Sequence, residues 1–182
     1  TGNHLRRTQH YVKRLAQQLR LNPRFADELD DRCIELLFKS APLHDIGKIG
    51  IPAEILMKPT PLTEAEKILM RTHVQSGITL LDGIEFPWPV AEIVRQHHER
   101  IDGSGYPRGL QGRAIMLEAA ILGLADTLDA MTSVRPYRGA ISLRAAMQYV
   151  ETERDRSFDG MMIDACRNVF REERHFHLRV NA

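Results

Sequence analysis

Seven side chains able to ligate a metal set the strongest limit on how this chain can fold. His44-Asp45 and His97-His98 are adjacent pairs, His4 and His73 stand alone, and Asp126 closes the apolar run Ala119-Ala120-Ile121-Leu122-Gly123-Leu124-Ala125. Imidazole and carboxylate suit first-row transition metals, and a carboxylate can bridge two of them. A carboxylate on an otherwise apolar helix is costly unless it is paired or bound to a metal. Asp126 therefore needs a salt-bridge partner or an ion, and an ion would oblige distant segments to converge on it. His10, His175 and His177 have no acidic or histidine partner at useful spacing and read as packed or solvated residues.

Composition narrows the setting. The 182 residues amount to one domain, taken here as 1–182, and suffice for a buried core. With 43% apolar and 27% charged residues the chain is of the folded, globular class. A net charge of +1 argues against duplex nucleic acid as a partner, which would require a basic face. A small anionic substrate needs only a local cluster of cations. Cys33 and Cys166 form no CxxC pair, which fits a reducing cytoplasm. No apolar run approaches the roughly 18 residues of a membrane span, and no signal-peptide stretch opens the chain. The chain begins inside a helical pattern, as expected of a part cut from a longer protein.

The hydrophobic spacing predicts an all-α fold. Leu5, Val12, Leu15 and Leu19 mark a first helix over roughly 3–20. Asn22-Pro23 reads as the start of a second helix, with Ile34, Leu37, Phe38 and Ala41 inward and Pro42 as a kink or a new turn before His44. Gly47 to Pro61 reads as an irregular connection. Thr63-Glu64-Ala65-Glu66 is a capping box opening a helix that carries His73 to about Leu81. A helix with Val90, Ile93 and Val94 ends on His97-His98, and Asp102 to Gly112 is a glycine-rich loop. Leu117, Ile121, Leu124 and Leu128 line the helix carrying Asp126, Arg135-Pro136-Tyr137-Arg138 is a loop, and two amphipathic helices near 143–154 and 160–171 follow, with the last ten residues loosely attached.

The run His44-Asp45-Ile46-Gly47-Lys48, the isolated His73, the run from His97 to Pro107 (HHERIDGSGYP) and the later Ala125-Asp126-Thr127-Leu128-Asp129-Ala130 together resemble the HD-GYP family of the HD metal-dependent phosphohydrolases. The likeness extends from about His4 to Asp159. An HD pair alone is weak; the HHExxDGxGYP run after HDIGK is highly specific. The resemblance implies an HD-type helical bundle around a buried site of two or three metals, iron or manganese, and an upstream receiver or sensor domain. It implies metal ligation by His4, His44, Asp45, His73, His97, His98 and Asp126, with Asp45 bridging. Some family members hold a third metal with a glutamate four residues before the first-helix histidine, a position that falls just before Thr1.

The same resemblance implies a cyclic-di-GMP phosphodiesterase, opening the substrate to pGpG by attack of a metal-bridged hydroxide on phosphorus, with a further cut to GMP left open. Asp45 and Lys48 are the expected catalytic residues, with Lys48 one turn beyond Asp45 to meet charge on the phosphoryl oxygens. Lys48, Tyr106, Asp129, Arg135 and Arg138 are the expected substrate contacts, two guanidinium groups being suited to phosphate or guanine. Solvated loop charges are the plainer reading of Arg135 and Arg138. The Gly103–Pro107 loop is either a docking surface for GGDEF-domain proteins, a substrate contact through Tyr106, or a turn that holds His97-His98. Metal ligands do not choose a base, so another cyclic dinucleotide such as cyclic GMP-AMP stays open. So does a non-hydrolytic receptor that binds the dinucleotide or a GGDEF partner.

Overall fold

A computed structural model describes residues 2–134 and 139–180, with side chains described from His4 to Arg171 outside that gap. Among the described residues every regular element is helical, and only the isolated bridges Asp102–Gln111 and Arg154–Phe158 have strand-like pairing. Helix α1 runs Gly2–Leu19, α2 Asp31–Ser40, α3 Ala53–Leu56, α4 Glu64–Leu81, α5 Val90–Gln96, α6 Leu117–Thr132, α7 Leu143–Thr152 and α8 Gly160–Val180. No helix is long and apolar enough to cross a membrane among the described residues.

Helix α6 is the axis of the core because its apolar residues cover almost its whole circumference. Ala119, Ile121, Leu122, Leu124, Ala125 and Leu128 are all buried, as a helix surrounded by neighbours requires. Helix α1 lays Val12, Leu15, Ala16 and Leu19 into the same cluster and packs against α2, α6 and α8. A smaller apolar cluster of Leu81, Val90 and Val94 joins α4 to α5.

The chain between α1 and α2 departs from expectation. Asn22 does not open a helix: its side chain accepts the Arg24 amide at 3.0 Å in a local turn, and further turns bury Phe25 and Leu29. Helix α2 starts at Asp31, capped by Asp30, which accepts the Cys33 amide at 2.6 Å. Pro42 starts a new turn, the 3-10 segment Ala41–Leu43, because a proline has no N–H to continue the α-helix. That turn delivers His44 and Asp45 to a second 3-10 segment, Ile46–Gly50, which packs on α4. The expected irregular stretch from Gly47 thus holds two short helices. The capping box forms as predicted, with Glu66 accepting the Thr63 amide at 2.7 Å and Thr63 accepting the Glu66 amide at 3.3 Å. Helix α7 ends at Thr152, and α8 continues past the expected 171 to Val180.

Candidate metal centre

Three histidines are aimed by their own backbone. His44 Nδ1 donates to Ala41 O at 2.6 Å, His73 Nδ1 to Met70 O at 2.7 Å and His97 Nδ1 to Val94 O at 2.6 Å. Each bond reaches three residues back and ties up one ring nitrogen, so the other, Nε2, presents its lone pair inward. His44, His73 and His97 are all essentially fully buried.

Two ligand groups result. The donor atoms of Asp45, His73, His97 and His98 lie within 4.8 Å of one another, as do those of His4, His44 and Asp126. Asp45 belongs geometrically to both: Oδ1 is 3.5 Å from His73 Nε2, and Oδ2 is 3.3 Å from His44 Nε2. Asp126 Oδ1 stands 3.6 Å from His44 Nε2 and 3.8 Å from His4 Nε2. Two elements without side chains to spare let these segments touch. A Cβ on Gly47 would stand 1.9 Å from His73 O, and one on Gly123 would stand 2.4 Å from His97 O.

The donor set fits divalent metal ions. His44 Nε2, Asp45 Oδ1 and His97 Nε2 are buried without a hydrogen-bond partner among the described residues. Buried polar atoms left unpaired each cost about 1–3 kcal/mol, so three lone pairs converging in one place call for a cation. The local electrostatics agree. Burial pulls His44 down, but Asp126 and Asp45 outweigh it and carry the imidazole up to about 10. The site's carboxylates thus already attract positive charge. Burial, reinforced by the charge of His44, takes His97 down to about 3, and burial with His97 beside it holds His98 well below the ordinary range. Neutral imidazoles are the ligating form. Burial works to raise Asp45 and Asp126, yet His44 keeps both well below the usual carboxylate range.

The HD domain family matches residues 1–162. This chain belongs to the HD domain family. The HD domain is 45% identical over 167 residues to the cyclic di-GMP phosphodiesterase response regulator RpfG of Xanthomonas campestris, covering 91% of the chain and 42% of that relative. It is 38% identical over 153 residues to 3'3'-cGAMP-specific phosphodiesterase 1 of Vibrio cholerae, covering 84% of the chain and 34% of that relative. The chain therefore spans less than half the length of these curated relatives. Among solved structures it superposes on Bd1817, an HDG"Y"P protein from Bdellovibrio bacteriovorus, with a TM-score of 0.69, covering 90% of this chain and 51% of that one. At 20% identity that likeness speaks for the fold, an all-helical HD bundle.

All seven expected ligands of the HD domain come together. Lys48 is partly exposed beside these ligands, its ammonium 2.5 Å from Asp45 Oδ2. Tyr106 stacks on His98 with ring centroids 4.6 Å apart, and burial pushes its hydroxyl pKa upward, so it stays a donor. Arg135 and Arg138 lie outside the described residues. Asp129 is placed differently from its expected substrate-binding position. Its side chain is fully buried, and its oxygens are taken by His4 Nδ1, by Arg7 Nε at 2.6 Å and by Ser133 Oγ at 3.1 Å. It sits behind His4, bonded to the Nδ1 side of that ring. The expectation overlooked that i+3 from Asp126 on α6 is one turn away, where it meets α1 instead of the cleft.

The structure also brings in residues that spacing did not single out. Glu99 is buried, and its two oxygens accept the Arg108 amide at 2.8 Å and the Leu110 amide at 2.9 Å, tying the glycine loop to the end of α5. Gln96 accepts the Met116 amide at 2.7 Å, at the start of α6. Arg100 lies over Phe158 and donates to the carbonyls of His97 and Glu99. Glu99 had one available signal, its place directly after His97-His98. The Met116 partner of Gln96 and the Asp129 partner of Arg7 are set by tertiary packing. His10 is exposed beside Phe38, away from the centre.

Proposed function

We propose that this domain is a metal-dependent phosphodiesterase that hydrolyses cyclic-di-GMP to pGpG and then to GMP. The observation that carries the reading is Asp45, whose two oxygens face two separate ligand groups. The names of the relatives favour the same substrate class. Two bound divalent metals, iron or manganese, would supply an acidified water and Lewis-acid charge on the phosphoryl oxygens. His73, His97, His98 and Asp45 would hold one, and His4, His44, Asp126 and Asp45 the other.

The protein's own groups do the rest. Asp45 fixes the distance between the two halves of the site. Lys48 stands over Asp45 Oδ2, where its ammonium can turn to a phosphoryl oxygen as charge builds on it. Water oxygen bonds to phosphorus in line with the 3' oxygen, which leaves and takes up a proton, giving a 5'-phosphate and a free 3'-hydroxyl. Tyr106, held flat on His98, forms a wall against which the dinucleotide packs and offers its hydroxyl as a donor. Arg135 and Arg138 are proposed as base or phosphate contacts. Asp129 is proposed instead as the group that orients His4.

Asp102, Ser104 and Pro107 are exposed on the loop that Glu99 pins, which supports Gly103–Pro107 as a docking edge for a GGDEF-domain protein. An upstream receiver or sensor domain and a cytoplasmic setting are part of the same proposal. Hydrolysis of cyclic GMP-AMP is the second reading, favoured by the 38% identical relative named for that substrate. Purified protein loaded with Mn²⁺ or Fe²⁺ and given each dinucleotide in parallel, with products separated by chromatography, decides between them. The expected result is pGpG and GMP from cyclic-di-GMP at the higher rate. A metal-loaded protein that binds cyclic-di-GMP without producing pGpG would make the domain a receptor.

A further inference from the structure

Among the described residues another cation stands beside the centre. Arg71 lies on α4, two residues before His73, and its guanidinium carbon sits 4.9 Å from the centroid of the Tyr106 ring. Tyr106 is in turn stacked on His98. The order guanidinium, phenol, imidazole therefore runs from the solvent to a metal ligand. Arg71 is exposed and makes no hydrogen bond or ion pair among the described residues. Glu64, two turns earlier on α4, bonds Lys67 instead at 2.7 Å. A cation–π contact consumes none of the five N–H donors of a guanidinium, while it holds the group in place.

The other basic groups of these elements already have partners, and Lys48 is the one assigned to the phosphoryl group being cut. Lys48 is on Asp45. Arg100 is buried against backbone carbonyls, Thr127 and Phe158. Arg108 and Arg95 both pair with Glu92. Among the described residues this leaves Arg71 as the cation positioned beside the centre with its donors uncommitted. A cyclic dinucleotide carries two phosphodiesters, and only one can be the scissile group. The other needs its own counter-charge, and a planar fork matches two phosphate oxygens at once.

We propose that Arg71 grips the phosphate that is not being cut, from the α4 wall, with Tyr106 as its platform. The inference rests on the phosphodiesterase reading above and adds the residue that recognises a dinucleotide as opposed to any phosphodiester. The test uses two substrates, cyclic-di-GMP and bis(p-nitrophenyl) phosphate, the second having a single phosphate. Arg71→Gln should weaken cyclic-di-GMP binding, measured by calorimetry, roughly ten- to hundredfold, the range for a hydrogen bond to a charged group. The ratio of kcat/KM for cyclic-di-GMP to that for bis(p-nitrophenyl) phosphate should fall by a similar factor, and the metal content should match the wild type. Arg71→Lys, which keeps charge but loses the fork, should recover part of the binding.

Equal binding of cyclic-di-GMP by wild type and Arg71→Gln would overturn the proposal and leave the phosphodiesterase reading standing. Equal losses on both substrates together with lost metal would also overturn it, because Arg71 would then only be propping Tyr106 and His98. A wild type that cleaves bis(p-nitrophenyl) phosphate but neither binds nor cuts cyclic-di-GMP would remove both readings at once.

Discussion

The two halves of the centre are built by different means. On one side, His73 and His97 are each locked to a carbonyl three residues back, and Gly47 and Gly123 bring neighbouring backbone against those same residues. On the other side His44 has such a lock, but His4 does not. His4 is aimed by Asp129, which is itself held by Arg7 and Ser133, so its orientation depends on α1 and α6 keeping their contact. Local backbone geometry costs little to maintain once the helix forms. A relay of side chains between helices must be reassembled whenever they separate. The His73 side should therefore be the preformed half, and the His4 side the half that responds to perturbation.

Among the described residues Asp45 reaches both halves, so its loss erases the difference between them. Asp45→Ala should abolish both metal positions together and lower phosphodiesterase activity by more than about a thousandfold, beyond the usual cost of one lost oxyanion donor. Metal analysis of the purified variant checks this. A variant that kept a full equivalent of metal would show that the two groups are independent sites.

Much of this asymmetry was out of reach of the sequence, and particular residues show why. Five of the candidate ligands were legible from a local signal: His44-Asp45 at the end of a helix, His97-His98 before a glycine loop, Asp126 on an apolar helix; His4 and His73 stand alone and were pointed to only by the family resemblance. The all-α class was legible because α1 and α6 repeat apolar residues at helical spacing. Asn22-Pro23 misled because an asparagine before a proline suits a local turn as well as a helix start. Asp129 misled because one turn along a helix fixes the direction of a side chain but not the neighbour it finds there. Arg7 meets Asp129 from another helix, far away in the chain, and Gly47 meets the His73 backbone from a separate element. Periodicity carries no record of such pairings.

Breaking the relay should expose the difference without touching a ligand. Asp129→Asn keeps the shape of the side chain and removes its charge, which leaves His4 with a weaker orienting partner and Arg7 without its counter-ion. Outer groups of this kind typically change metal affinity about 10- to 100-fold. Titration with a chelator should then release one equivalent of metal early and the second at the wild-type concentration. His4→Ala should give the same first step, whereas equal weakening of both equivalents would mean that the halves are not separately organised.

The smallest effect is expected on the preformed side, at Glu99. Its two carboxylate oxygens accept the amides of Arg108 and Leu110, so it holds the loop that carries Tyr106 to the end of the helix that carries His97-His98. Glu99→Gln retains one acceptor and turns the other into a donor facing an amide. One buried N–H is left unsatisfied, at about 1–3 kcal/mol. The cost should appear as local opening and not as lost metal, because the ring lock of His97 runs to Val94 O within its own helix and does not pass through Glu99. Hydrogen exchange at Arg108 and Leu110 should speed up by roughly five- to hundredfold for such a change, with metal content intact. If metal were lost from the His73 side in Glu99→Gln, that half would depend on its loop as the His4 side depends on its relay, and the contrast between them would collapse.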